Sequence, residues 1–291
     1  MRATAQAAPG SLVIAASRLG VVRGLVEFRQ TLLSPAELFW TLFINVAYIL
    51  VLFFQRGHSV EGSSLALLTL PSILGMSVAF GGAQGATSIL ATHREDGTLL
   101  RAKAIPNGMT GYLVAQLVVT SLTTVFGIVV VLIPGLFLVG GIPSAGVGDW
   151  LSVVGVLALG LLATLPLGMI IGSSVKSAAS GFGLTFLPMC GIVAISGIFY
   201  PITALAGWLQ AIAQVFPVYW LGLGMRAALL PDAAVAAEIG ESWRQVQMIG
   251  VLSVWSIVGL VIAPSVLRRM ARKESGSVME ARRERALHRG Y

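Results

Sequence analysis

The chain has 291 residues, of which 56% are apolar and only 11% charged, with a net charge of +7. Soluble domains carry charge on about a quarter of their residues, and the apolar runs here reach the ~20 residues that cross roughly 30 Å of hydrocarbon, so a water-soluble globule is excluded. The single cysteine, Cys190, excludes an intrachain disulfide framework and a cysteine-based metal site.

Residues 1–10 lack the charged-then-apolar pattern of a signal peptide, and residues 1–16 are expected to form a disordered arm. Residues 17–33, SRLGVVRGLVEFRQTLL, are too charged to span a membrane. Val21, Leu25, Phe28 and Leu32 recur at helical spacing, while Arg18, Arg23, Glu27 and Arg29 fall mainly on other faces. That pattern predicts a helix lying in the membrane interface, with packing on the bundle as the alternative. Arg23 and Glu27 are four apart and within reach of each other. Ser34-Pro35 then breaks the helix, because proline disfavours helix at the residue before it.

Six apolar runs follow, at residues 36–54, 65–91, 112–139, 150–172, 182–199 and 246–267. In lipid each backbone polar group must be satisfied within its own segment, so the runs read as helices and the chain as an all-α integral membrane protein. Pro71, Pro134, Pro166 and Pro188 are expected to kink them. Gly81, Gly82 and Gly85 let the end of span two pack closely on a neighbour. Of the 19 lysines and arginines, only Arg56, Arg226 and Arg244 fall away from one side when the N-terminus is placed inside. The positive-inside rule therefore puts both termini in the cytoplasm and leaves no charge excess that calls for nucleic acid. The basic tail, residues 268–291, reads as a topology anchor on anionic lipid, with a docking role as the alternative.

Between spans two and three lies the densest polar stretch, HREDGTLLRAKAIPNGMTGY from His93 to Tyr112. Gly97 can end the helix descending from span two. Asp96 or Thr98 can cap a new short helix over residues 99–105, and Pro106 ends it. Leu99, Leu100 and Ile105 would then be available to a partner's groove; an ordinary solvated loop is the alternative. Between spans five and six, residues 200–244 hold two helical stretches too short to span, 204–216 and 220–230, separated by Pro217. A shallow re-entrant hairpin is expected there.

Three passages carry a family resemblance: the arm running through SPAELFWTLFINVAYILVLFF, the loop REDGTLLRAKAIP, and SGIFYPITALAGWLQAIAQVFPVYWLGLGMRAALL after span five. The chain resembles the ABC type-2 exporter permeases, the membrane subunits of ATP-binding-cassette exporters. The resemblance implies that residues 17–33 are an elbow helix within a transmembrane domain at 17–267. It implies that residues 95–106 are a coupling helix docking into an ATPase subunit, with Glu95, Gly97, Thr98, Leu99, Arg101 and Pro106 carrying the motif. It also implies that the re-entrant hairpin roofs the pathway, that spans one, two and five line it, and that Asn45, Tyr48, Gln84 and Thr185 are the polar candidates there.

No G-x-x-x-x-G-K-[ST] loop occurs, so ATP and Mg are expected in two copies of a partner ATPase and no cofactor on this chain. His58, His93 and His288 are isolated in sequence, and no metal-ligand cluster is expected. The spans are nearly free of ionisable residues, which counts against proton coupling. The reading is a non-catalytic permease subunit in the cell membrane, exporting an amphipathic drug, antibiotic or lipid-like molecule, paired with itself or a sister permease. An ATP-independent channel or secondary carrier, and a membrane enzyme acting on lipids, are the alternatives.

Overall fold

The computed structural model describes residues 9–60, 63–105, 107–140, 146–175 and 177–273. Helix α1 (Pro9–Leu33) precedes α2 (Pro35–Gln55). Ser34 separates them with extended backbone, and its hydroxyl accepts the Glu37 N–H at 3.4 Å. Pro35 occupies the first helical position, where its missing N–H costs nothing. Because α1 begins at Pro9, residues 9–16 are helical where disorder is expected; residues 1–8 and 274–291 lie outside the described residues.

Among the described residues six helices are long and apolar enough to cross a membrane: Pro35–Gln55, Leu65–Glu95, Gly108–Val139, Val147–Ser174, Ala178–Ile195 and Gln245–Met270. The second is composite, with α3 (Leu65–Phe80) joined to α4 (Ala86–Glu95) by a π-helical turn, Gly81–Gly85. It is the axis of the bundle: 72% of its apolar window is buried, against 11% for α2. Around it stand α6 (Gly108–Val139), α7 (Val147–Ser174) and α8 (Ala178–Ile195), with α11 (Gln245–Lys273) packed on the far side against α7 and α10 (Pro217–Leu229). The helices run on through Pro71, Pro134, Pro166 and Pro188. Span five ends before residue 199 because Gly197 takes a left-handed φ of 62° against Ile202, a conformation open to glycine. A two-residue antiparallel ladder, β1 (Ser59–Val60) with β2 (Ser63–Ser64), joins the tops of α2 and α3.

Three α-helices among the described residues are too short to span. Between α4 and α6 lies α5 (Thr98–Lys103). After α8 come α9 (Gly207–Val215) and α10 (Pro217–Leu229), bent by 91° to one another. Pro217 is the first residue of α10 rather than a separator, since the first turn of a helix tolerates proline. The α10 helix is almost wholly buried against α3, and Leu221 and Leu223 join Leu70, Ile73 and Leu74 in the main core. A second core at the basic end of the bundle gathers Leu90, Leu99, Ala102, Tyr112, Met169 and Leu267.

Helix α1 lies along α6 on a face of small residues. A Cβ added at Gly20 would fall on the Gly111 carbonyl, one at Gly24 on Val118 and the Ala115 carbonyl, and one at Gly111 on the Ala16 carbonyl. Such faces let backbones approach closely. Val21 and Leu25 remain exposed on the other side, and the expected Arg23–Glu27 pair forms at 2.6 Å. Gly20→Leu with Gly24→Leu is expected to lift α1 from α6. Overpacking costs about 1–3 kcal/mol per site, so α1 amides should exchange at least about tenfold faster in a hydrogen-exchange measurement.

Candidate functional site

The last turn of α4 sends three consecutive side chains to three different elements. His93 Nδ1 lies 3.2 Å from the Tyr112 hydroxyl at the start of α6, and Arg23 of α1 stacks over that ring at 5.9 Å. The Arg94 Nη1 donates to the carbonyls of Gly172, Ser173 and Val175 at 3.3, 2.9 and 2.6 Å, where α7 ends. A carboxylate oxygen of Glu95 accepts the Ala178 N–H at 3.1 Å, where α8 begins. The cation thus meets the negative end of one helix dipole and the anion the positive end of the next. Neighbouring residues thereby straddle the turn between spans four and five.

Immediately beyond, Gly97 adopts φ 75° and reverses the chain, a left-handed turn suited to glycine. Asp96 Oδ1 accepts the Thr98 N–H at 2.8 Å, so the aspartate, one residue before the Gly97 N-cap, satisfies the first free N–H of α5. Thr98 receives a bond from the Arg101 guanidinium at 3.2 Å. Leu99 is only 2% exposed and Ala102 5%, both packed into the second core. Leu99 therefore anchors the segment rather than projecting from it, a correction to the expectation that it faces a partner. Glu95, Asp96, Arg101 and Ile105 stay exposed. Pro106 lies outside the described residues.

The four polar candidates within the spans are not brought together; no hydrogen bond joins any two of them among the described residues. Asn45 is buried, donates to the Thr41 carbonyl at 2.6 Å and faces Gly127 of α6. Tyr48 is half-buried against the main core. Thr185 is 2% exposed and meets Thr87, whose hydroxyl also reaches the Gly168 carbonyl at 2.9 Å. Gln84 donates to Ser88 at 3.1 Å, and its carbonyl oxygen is buried without a partner. Gln116 on α6 is left the same way. Between these helices Gly81 lies against Thr124 and Gly85 against Thr120, so the π turn borders a polar seam. π turns inside α-helices occur often at functional sites.

Sequence reasoning passed over Arg94, read only as one charge of a loop, and Arg226. Arg226 is 4% exposed and paired with Glu238 at 2.6 Å, itself 5% exposed. Arg244 stacks over Trp220 at 5.0 Å and bonds the Tyr219 hydroxyl at 2.6 Å. Their departure from the basic side of the chain was the available signal: a charge in the wrong place for topology has another employment.

A family model described as ABC-2 type transporter matches residues 25–230. No curated protein matches the chain.

Proposed function

Because the chain belongs to the ABC-2 type transporter family as a membrane-embedded permease component, we propose that it serves an ATP-driven exporter, moving an amphipathic drug, antibiotic or lipid-like molecule out of the cell. The observation that carries this reading is the segment from Glu95 to Ile105. The short helix α5 is fixed inward by Leu99 and Ala102 and offers Arg101 outward, flanked by the exposed Glu95 at the end of α4 and Ile105 just beyond α5. An ATPase subunit docks there, with ATP and Mg bound on that subunit, and each permease copy takes one of two ATPases. The basic end is then cytoplasmic, α1 lies in the inner interface as the elbow helix, and the chain sits in the plasma membrane.

Pathway and pairing follow from the same reading. The α9–α10 hairpin is re-entrant and roofs the outer side. The poorly covered α2, with Phe39, Trp40 and Phe43 exposed, meets lipid and a second permease copy, the pair forming a homodimer. Among the polar candidates, Gln84 keeps an unpaired acceptor and is the best placed to hold a cargo hydroxyl or amine.

The test is co-purification from cells producing the permease with its ATPase. A retained ATPase whose turnover changes with the permease supports the reading; transport that follows an ion gradient, with no ATPase associated, overturns it. Arg101→Ala with Glu95→Gln, which keeps an acceptor for the Ala178 N–H, is expected to cut ATPase retention about tenfold or more, as for loss of a charged docking contact, at little cost in melting temperature. Leu99→Ala should do the reverse, destabilising the basic end by about 2–5 kcal/mol as a buried leucine truncation.

A further inference from the structure

Arg226 joins four elements of the hairpin end through one side chain. From α10 its Nε donates to Glu238 Oε1 at 2.6 Å, and its Nη1 donates to Ser72 Oγ on α3 at 2.6 Å and to the Gly197 carbonyl after α8 at 3.4 Å. The other carboxylate oxygen, Glu238 Oε2, is buried without a partner. Beside the pair is a cavity of about 20 Å³ bordered by Thr69, Ser72 and Tyr200, room for a single water molecule.

A buried ion pair is a poor source of stability, because desolvation offsets the attraction and an apolar replacement often holds as well or better. What the charges change is the open state. When the two faces separate into water both ions regain hydration, whereas separated apolar faces are left exposed at a cost. A charged seam is therefore poised between two states, and an apolar one is biased shut.

We infer that Arg226 and Glu238 form a latch that holds the segment following α10 onto α10 and span two, closed in this structure, with the small cavity between that segment and span two admitting the first water onto Glu238 Oε2 as it opens. The inference rests on the permease reading and on its orientation, which places the latch outside.

The experiment follows a reporter cysteine, Thr69→Cys in a Cys190→Ser background of the full chain; Thr69 is 1% exposed and borders the cavity. A membrane-impermeant maleimide is applied to whole cells and, separately, to inverted vesicles. Glu238→Gln strands the buried guanidinium and should raise the labelling rate about fivefold or more. Arg226→Met with Glu238→Leu should lower it by a similar factor at an equal or higher melting temperature. The swapped pair, Arg226→Glu with Glu238→Arg, should return within about twofold of the parent. Parent-rate labelling in Glu238→Gln, or an apolar pair that labels as fast as Glu238→Gln, overturns the latch. Should the apolar pair not fold, Glu238→Gln and the swap decide: equal rates in both and the parent overturn it. Labelling confined to inverted vesicles overturns the orientation instead, while the ratios among variants still read the latch.

Discussion

Arg94→Ala is expected to loosen the junction of spans four and five and to sever it from the coupling segment. The guanidinium is shared among three carbonyls at the end of α7, and a hydrogen bond from a charged group contributes about 1.5–3 kcal/mol. Counting the set as one to two full bonds, because a single nitrogen serves all three and the site is half-exposed, the loss is about 2–3 kcal/mol. Amides of residues 172–181 should then exchange roughly thirty- to a hundredfold faster. The ATPase should remain bound, because Arg101 and Ile105 are untouched, yet its turnover should no longer respond to the permease. Arg94→Lys keeps the positive charge at the helix end but not the fork, so it should recover only part of the protection. Unchanged exchange across the junction in Arg94→Ala would show that the bridge transmits nothing.

That bridge alters the route by which a push at α5 would travel. Spans two and three flank the segment in sequence and are the elements expected to move. The Arg94 and Glu95 contacts add the ends of α7 and α8, and His93 with Tyr112 adds α1 through Arg23. The ends of α1, α6, α7 and α8 are thus tied to one helical turn, the arrangement required for a rigid-body response.

The second large effect is at Gly168. A Cβ there would fall on the carbonyl oxygen of Ala83 in the π turn and 2.9 Å from the Ala86 Cβ. A backbone oxygen cannot rotate aside, so α7 must retreat from span two, and with it go the bond from Thr87 to the Gly168 carbonyl and the contact of Thr87 with Thr185. Overpacking of this kind costs about 1–3 kcal/mol for one methyl group. Gly168→Ala should lower the melting temperature by several degrees, and Gly168→Val should give little monodisperse protein. Gly155 on the same helix is the control: a Cβ there meets nothing within 4 Å. Gly155→Ala should be neutral or stabilising by up to about 1 kcal/mol, the ordinary helix preference for alanine. If both alanines melt alike, close packing at the π turn is not what Gly168 provides.

The spans were legible because their signal is local: a run of apolar residues long enough for the bilayer is its own evidence. The same holds for Ser34 and Pro35, for the Gly97 turn, and for Arg23 with Glu27, each decided within one turn of chain. The failures have a common cause. Leu99 belongs to a motif that looked available to a partner, but its direction depends on Leu90, Met169 and Leu267, which come from three different helices. The partners of Asn45 and Thr185 were likewise illegible, because Gly127 and Thr87 sit far along the chain.

Sequence alone determined that this chain lives in a bilayer, how many helices cross it, and where the non-spanning segments lie, because hydrophobic transfer and backbone satisfaction act on each segment separately. It also placed a short helix at residues 99–105, starting one residue late and ending two residues beyond the α5 that forms. Only the tertiary structure decided what the exceptional charges do. Arg94, Glu95, Arg226 and Glu238 each answer to a helix end or counter-charge that is distant in sequence. A buried or half-buried charge is settled by its partners rather than by its neighbours in the chain, since only a facing opposite charge or dipole can replace the water it has lost.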